Sequence, residues 1–152
     1  MKAVIVCAVL ALAASPALSQ GVQESLELSR EVIDQQKRVI VAGSLPLSNE
    51  EADAFWPLFD EFQKELKKLD GRADRLIASY TAEYATLSDA RARAMLDEAL
   101  TIEEERATLK RKWVKRMAKA LPPRQLVRYF QLENKFQAVV TADITRQIPL
   151  VP

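Results

Sequence analysis

The sequence predicts an all-α protein of four helices, elongated and dimeric, built around a long bent antiparallel helical hairpin. Three observations predict it. Apolar residues recur in steps of three and four along most of the chain. Only three glycines, Gly21, Gly43 and Gly71, occur in 152 residues, too few for the turns of a sandwich, a barrel or a glycine-looped nucleotide fold. Apolar residues make up 49% and charged residues 28%, enough to bury one core under a solvated surface and of a length suited to one domain.

Residues 1–19 stand apart from that pattern. Met1 and Lys2 precede an apolar stretch from Ala3 to Ala14, followed by the small-x-small site Ala17-Leu18-Ser19. The stretch is too short to span a bilayer and reads as an export signal cleaved before Gln20. The only cysteine, Cys7, lies inside it, and the chain has no histidine. A chain without thiol or imidazole has no Cys-His pair, no Ser-His-Asp triad and no softer-metal site of the usual kind. The expectation is therefore a periplasmic protein that is not an enzyme and takes no cofactor, metal or nucleic acid.

The elements follow in order through a single domain at 20–147. Leu28, Val32, Ile33, Val39 and Ile40 predict a first helix from about 24 to 42, ended by Gly43. Ser48-Asn49-Glu50-Glu51 is a capping box: the Ser48 hydroxyl accepts from the amide of Glu51, whose carboxylate reaches back to the cap. The second helix starts there, with a seam of Phe55, Phe59, Phe62, Leu66, Leu69, Ala73, Leu76, Tyr80, Tyr84 and Leu87 in coiled-coil steps. Pro57 should kink this helix or divide it at Trp56, at a cost of about 3 kcal/mol. Asp70-Gly71 is a weaker point, worth about 1 kcal/mol.

Ser88 caps a third helix, with Asp89 suited to its N-terminal dipole. It meets no glycine or proline before Leu121, so its roughly 32 residues span about 48 Å. A compact globule of this length has a radius of gyration near 14 Å; the helix outruns it, which predicts the elongated hairpin and a dimer to cover its flanks. Pro122-Pro123 stops helix three and opens helix four, about 123 to 146, with Leu126, Val127, Phe130, Phe136, Val139, Val140 and Ile144 on a wide face. Residues 148–152 form an extended tail.

The charge is segregated. From Gln20 to Glu105 there are 10 basic and 19 acidic residues, a net −9; from Arg106 to Arg128 there are 9 basic and none acidic, a net +9. Arg106, Lys110, Arg111, Lys112, Lys115, Arg116, Lys119, Arg124 and Arg128 surround Trp113. Two placements give this run opposite meanings. Laid against Asp60, Glu61 and Glu65 of helix two it is neutralised within the hairpin; turned outward it attracts unfolded or acidic polypeptide, or anionic lipid. Arg106, Lys112, Trp113, Lys115, Arg116 and Lys119 are the candidate contacts for a client or partner, although Trp113, at a seam position, also fits plain core packing. Glu103-Glu104-Glu105 and Glu61/Glu65 could in principle serve acid-base chemistry or a hard cation; on a helix they read as a solvated face.

Two segments carry a resemblance. Leu47-Ser48-Asn49-Glu50-Glu51 opens helix two and Leu121-Pro122-Pro123-Arg124-Gln125 opens helix four. Each is a leucine, a cap-compatible residue, two variable positions and Glu or Gln. They resemble the paired LTxxQ motifs of the Spy/CpxP family of small periplasmic helical proteins, over roughly residues 28–145. Ser48 matches the threonine position, Glu51 replaces the glutamine, and Pro122 replaces the second threonine, so that Leu47, Ser48, Glu51, Leu121, Pro122 and Gln125 are the motif residues. The resemblance implies a cradle-shaped homodimer acting as an ATP-independent chaperone for unfolding envelope proteins, or, alternatively, as a regulatory partner of an envelope-stress sensor kinase or other exported protein. The family's metal-sensing branch relies on histidines, which this chain lacks.

Overall fold

The computed structural model describes residues 16–152. The expected export signal, with Cys7, lies outside them except for its last four residues. The described chain is all-helical: α1 (Pro16–Ser44), α2 (Asn49–Glu83), a 3-10 turn (Tyr84–Thr86), α3 (Asp89–Met117) and α4 (Pro123–Thr145).

Local chemistry sets most boundaries. α1 is already helical at Pro16, the first described residue, so it includes the stretch before the expected start at about 24. It also runs through Gly43, because no described residue adopts positive φ and the Leu45 amide still donates to the Val41 carbonyl at 2.9 Å. The stop is Pro46: it has no amide hydrogen and biases Leu45, the residue before it, away from the helical region.

At α2 both halves of the capping box form. The Glu51 amide donates to Ser48 Oγ (3.2 Å), and the Ser48 amide donates to Glu51 Oε2 (2.9 Å), an arrangement whose loss costs about 1 kcal/mol. α2 then continues unbroken for 35 residues. It is not divided at Trp56: Pro57 and Asp53, whose carbonyl the proline leaves without a donor, are both exposed, so water can serve that carbonyl. Gly71 is likewise helical.

Ser88 caps α3 by accepting from the Arg91 amide at 3.3 Å. α3 ends at Met117, four residues short of the expected Leu121, where the last turn tightens into bonds from Lys119 to Arg116 and from Ala120 to Met117. Its 29 residues span about 43 Å.

Interhelical pairs show that the helices alternate in direction. Arg30–Asp74, Lys37–Gln63 and Arg38–Asp60 join α1 to α2. Arg72–Glu98, Lys112–Glu65 and Arg116–Glu61 join α2 to α3. Lys37–Glu133 and Ser25–Gln147 join α1 to α4, while Arg106–Gln137 and Lys110–Asn134 join α3 to α4. The main core gathers Phe55, Phe59, Phe62, Leu66 and Leu69 of α2, Leu109, Trp113 and Met117 of α3, Tyr129 of α4, and Val41 of α1. A smaller cluster joins Val140 and Ile144 to Ile33, Ile77 and Ile148. The second half of the α2 seam, from Ala73 to Leu87, is only half-buried.

A polar group sits inside the bundle. Glu133 is 3% and Lys37 7% exposed. One Glu133 oxygen accepts from Gln63 (2.7 Å) and from the Tyr129 hydroxyl (3.0 Å), and the other faces Lys37 Nζ at 3.4 Å. Burial first, and the Glu133 charge second, push the Tyr129 hydroxyl pKa upward. The folded-state pKa therefore exceeds the unfolded value of about 10, and the stability this tyrosine contributes is complete below pH 10 and lost as pH rises beyond it. Thermal melts from pH 8 to 11 should show a steeper alkaline loss in the wild type than in Tyr129→Phe; equal slopes would contradict that assignment.

Candidate partner-binding surface

The basic run is divided by helical phase. On the flank of α3 that faces α2, Lys112 Nζ contacts both carboxylate oxygens of Glu65 at 2.7 Å, and Arg116 Nη2 lies 2.8 Å from Glu61. Trp113 Nε1 donates to the same Glu65 at 3.2 Å. The Lys112 hydrogen bond above all holds the Glu65 carboxyl below the usual carboxylate range. Arg106 lies 2.8 Å from Asp70, which also faces Arg30 at 3.4 Å. Asp60, expected to face the basic run, instead pairs with Arg38 of α1 at 2.6 Å.

Trp113 is 0% exposed. Its ring packs on Phe62 with centroids 5.8 Å apart, and the Arg116 guanidinium covers it at 4.1 Å. It is a core residue and cannot touch a client while the bundle is intact. Of the six candidate contacts, then, Arg106, Lys112 and Arg116 pair with carboxylates of α2, Trp113 is internal, and only Lys115 and Lys119 are exposed without an ion pair. Lys110 is also turned inward: it donates to Asn134 at 2.7 Å, and burial, reinforced by Arg106, lowers its ammonium pKa.

Five cations of this run remain exposed and have no ion pair among the described residues: Arg111, Lys115, Lys119, Arg124 and Arg128. Arg111, Lys115 and Ala118 follow at four and three residues along one face of α3; Arg124, Val127, Arg128 and Gln131 share a face of α4. The short turn between Met117 and Pro123 joins the two helices at one end of the bundle, the cationic corner. Val114 (38% exposed) and Val127 (57% exposed) alternate with the cations along the same two helices. Arg111, Arg124 and Arg128 were not among the sequence candidates. The seam carried the information: Arg111 and Lys115 each follow a seam residue, Leu109 and Trp113, by two positions, which on a helix is the opposite side.

The two motif segments meet beneath this corner. Leu121 is buried in the main core with Leu47 packed against it, and the Gln125 side-chain amide donates to the Pro46 carbonyl at 3.1 Å, across 79 residues of chain. Ser48 and Glu51 form the cap described above, and Pro122 precedes the first residue of α4. The motif residues thus tie the α1–α2 turn to the α3–α4 turn.

The carboxylates considered for catalysis are used differently. Glu61, Glu65 and Glu105 pair with Arg116, Lys112 and Arg72, and Glu103 and Glu104 are exposed. Among the described residues no three His, Cys, Asp or Glu side chains are grouped so as to hold a metal ion, and no helix is long and apolar enough to cross a membrane. Comparison of the chain with family models, curated proteins and solved structures finds no match.

Proposed function

We propose that the protein is an exported, periplasmic, ATP-independent chaperone-like protein that holds unfolded or acidic polypeptides on the corner formed by Arg111, Lys115, Lys119, Arg124 and Arg128. In this reading the α2–α3 pair is the long bent hairpin of an elongated homodimer. One observation carries the proposal: in a chain with nearly balanced charge, these five cations are exposed, unpaired and interleaved with Val114 and Val127. Unneutralised charge acts over about a Debye length of 8–10 Å and draws in an acidic segment. A few small apolar side chains then add short-range contact too weak to trap a client that is ready to fold.

The test is suppression of aggregation of a chemically denatured protein. The wild type should delay aggregation at low salt and lose most of that effect at 0.5 M salt, where the Debye length falls to roughly 4 Å. Arg111→Glu/Lys115→Glu/Arg124→Glu should lose it at low salt by severalfold with an unchanged circular dichroism spectrum, since none of the three touches the core. Undiminished activity in this variant, or none in the wild type, would refute the proposal. Crosslinking in cells to one stoichiometric exported protein, in place of a spread of clients, would assign the same corner to a regulatory partner.

A further inference from the structure

α1 carries two apolar faces, and only one is used inside the bundle. Ile33 and Val41 pack into the clusters described above. Leu28, Val32 and Val39 point away from them and are 62%, 44% and 73% exposed. These outward residues are in coiled-coil register. Leu28, Val32, Gln35, Val39 and Ala42 follow in steps of four, three, four and three, and none is charged. In heptad terms Leu28 is a d position and Val32 and Val39 are a positions, the distribution of leucine at d and β-branched residues at a that favours two parallel strands.

The edges of this seam differ in sign. On the side toward α2 lie Glu24 and Glu31, exposed and without a cationic partner among the described residues. On the side toward α4, the pairs Lys37–Glu133 and Ser25–Gln147 fix a register that sets Val139, 55% exposed, level with Val32 and sets Lys135 level with Gln36. Lys135 is exposed and also unpaired. We infer that this face is covered by a second copy of the chain, with the two α1 helices parallel about a two-fold axis that runs along them. Such an axis exchanges the two edges, so each copy's Glu31 edge meets the other's Lys135 edge, and the uncharged seam closes on itself. An antiparallel pairing would reverse the helices without exchanging the edges, leaving acid facing acid-side residues and Lys135 facing its own side. The interface rests on the homodimer in the functional reading above and assigns its surface; of the cationic corner only Arg128, one heptad before Lys135, borders it.

Single cysteines test it in a Cys7→Ser background, where the new thiol is the only one. Leu28→Cys and Val39→Cys should each give a disulfide-linked dimer on mild oxidation, because a parallel two-fold brings like residues together. Val39→Glu should lower the solution mass from two chains to one while retaining the helical spectrum, since Val39 is outside the core. A wild-type monomer at micromolar concentration, or crosslinks that appear only when Leu28→Cys and Val39→Cys are mixed, would overturn the assignment. The corner variant of the preceding section should remain dimeric, so failure of client binding and failure of this interface are read separately.

Discussion

Glu133→Ala should destabilise the protein by about 3–5 kcal/mol, a large part of the 5–15 kcal/mol that holds a domain of this size folded. The reason is less the attraction lost than the groups left behind. Lys37, 7% exposed, keeps the neutral Gln63 oxygen at 2.8 Å but loses the only carboxylate within 4 Å among the described residues, and Gln63 and Tyr129 lose a shared acceptor. A buried charge without its partner keeps its desolvation cost and loses its compensation. The sign should reverse when both charges are removed: Lys37→Met/Glu133→Leu should recover most of the loss, and could equal the wild type, because apolar replacements remove both desolvation costs. Urea denaturation of the single and double variants measures this. A double variant as unstable as Glu133→Ala would show that the cost lies in packing at Glu133 and not in the stranded ammonium.

Trp113→Ala should lose about 3–5 kcal/mol through the cavity left between α2 and α3. The ring contacts Phe62 and lies under Arg116, and its indole nitrogen is one of the donors that fix Glu65. Lys112→Ala, by contrast, removes one exposed ion pair and should cost under about 1 kcal/mol. The ratio separates the two roles considered for residues 112 and 113: a surface tryptophan used for binding would show a small stability change and a large loss of holdase activity. Far-UV circular dichroism in urea is the suitable probe, because Trp56 continues to fluoresce. If Trp113→Ala shifts the midpoint no more than Lys112→Ala, its burial is wrong.

What the sequence made legible was chemistry confined to a few residues. The Ser48 and Ser88 caps, the start of α4 at Pro123 and the seam from Phe55 to Leu69 each depend on neighbours within one or two turns. Gly43 misled because two helix terminators lay three residues apart, and a glycine merely permits a stop that Pro46 enforces. The first helix was detectable by period, yet its period mixed two faces: Ile33 turns inward, and Leu28, Val32 and Val39 outward. Apolar spacing alone does not say which face a bundle uses. The basic run failed as one surface for a related reason. Arg111 and Lys112 are adjacent in sequence and about 100° apart on the helix, so one is free and the other meets Glu65. Lys37, Gln63 and Glu133 look like surface residues in the sequence; only their place on the core-facing stripes of three different helices brings them together.

The buried Lys37–Glu133 pair also bears on the order in which the chain can fold. α1 with α2, and α2 with α3, are sequence neighbours joined by short turns, whereas α4 must close on α1 with a separation of 96 residues between the paired charges. Contacts this distant carry the largest loop-closure cost and form late. A chain emerging N-terminus first can therefore assemble three helices while Lys37 and Gln63 still face water. Their solvation opposes premature collapse of the cleft that α4 will fill, and the arrival of Glu133 removes that opposition at one register of the last helix. In kinetic terms the charge pair is a gate on the final step: Glu133 variants should refold with α4 docking slowed, while the α2–α3 pair forms at an unchanged rate.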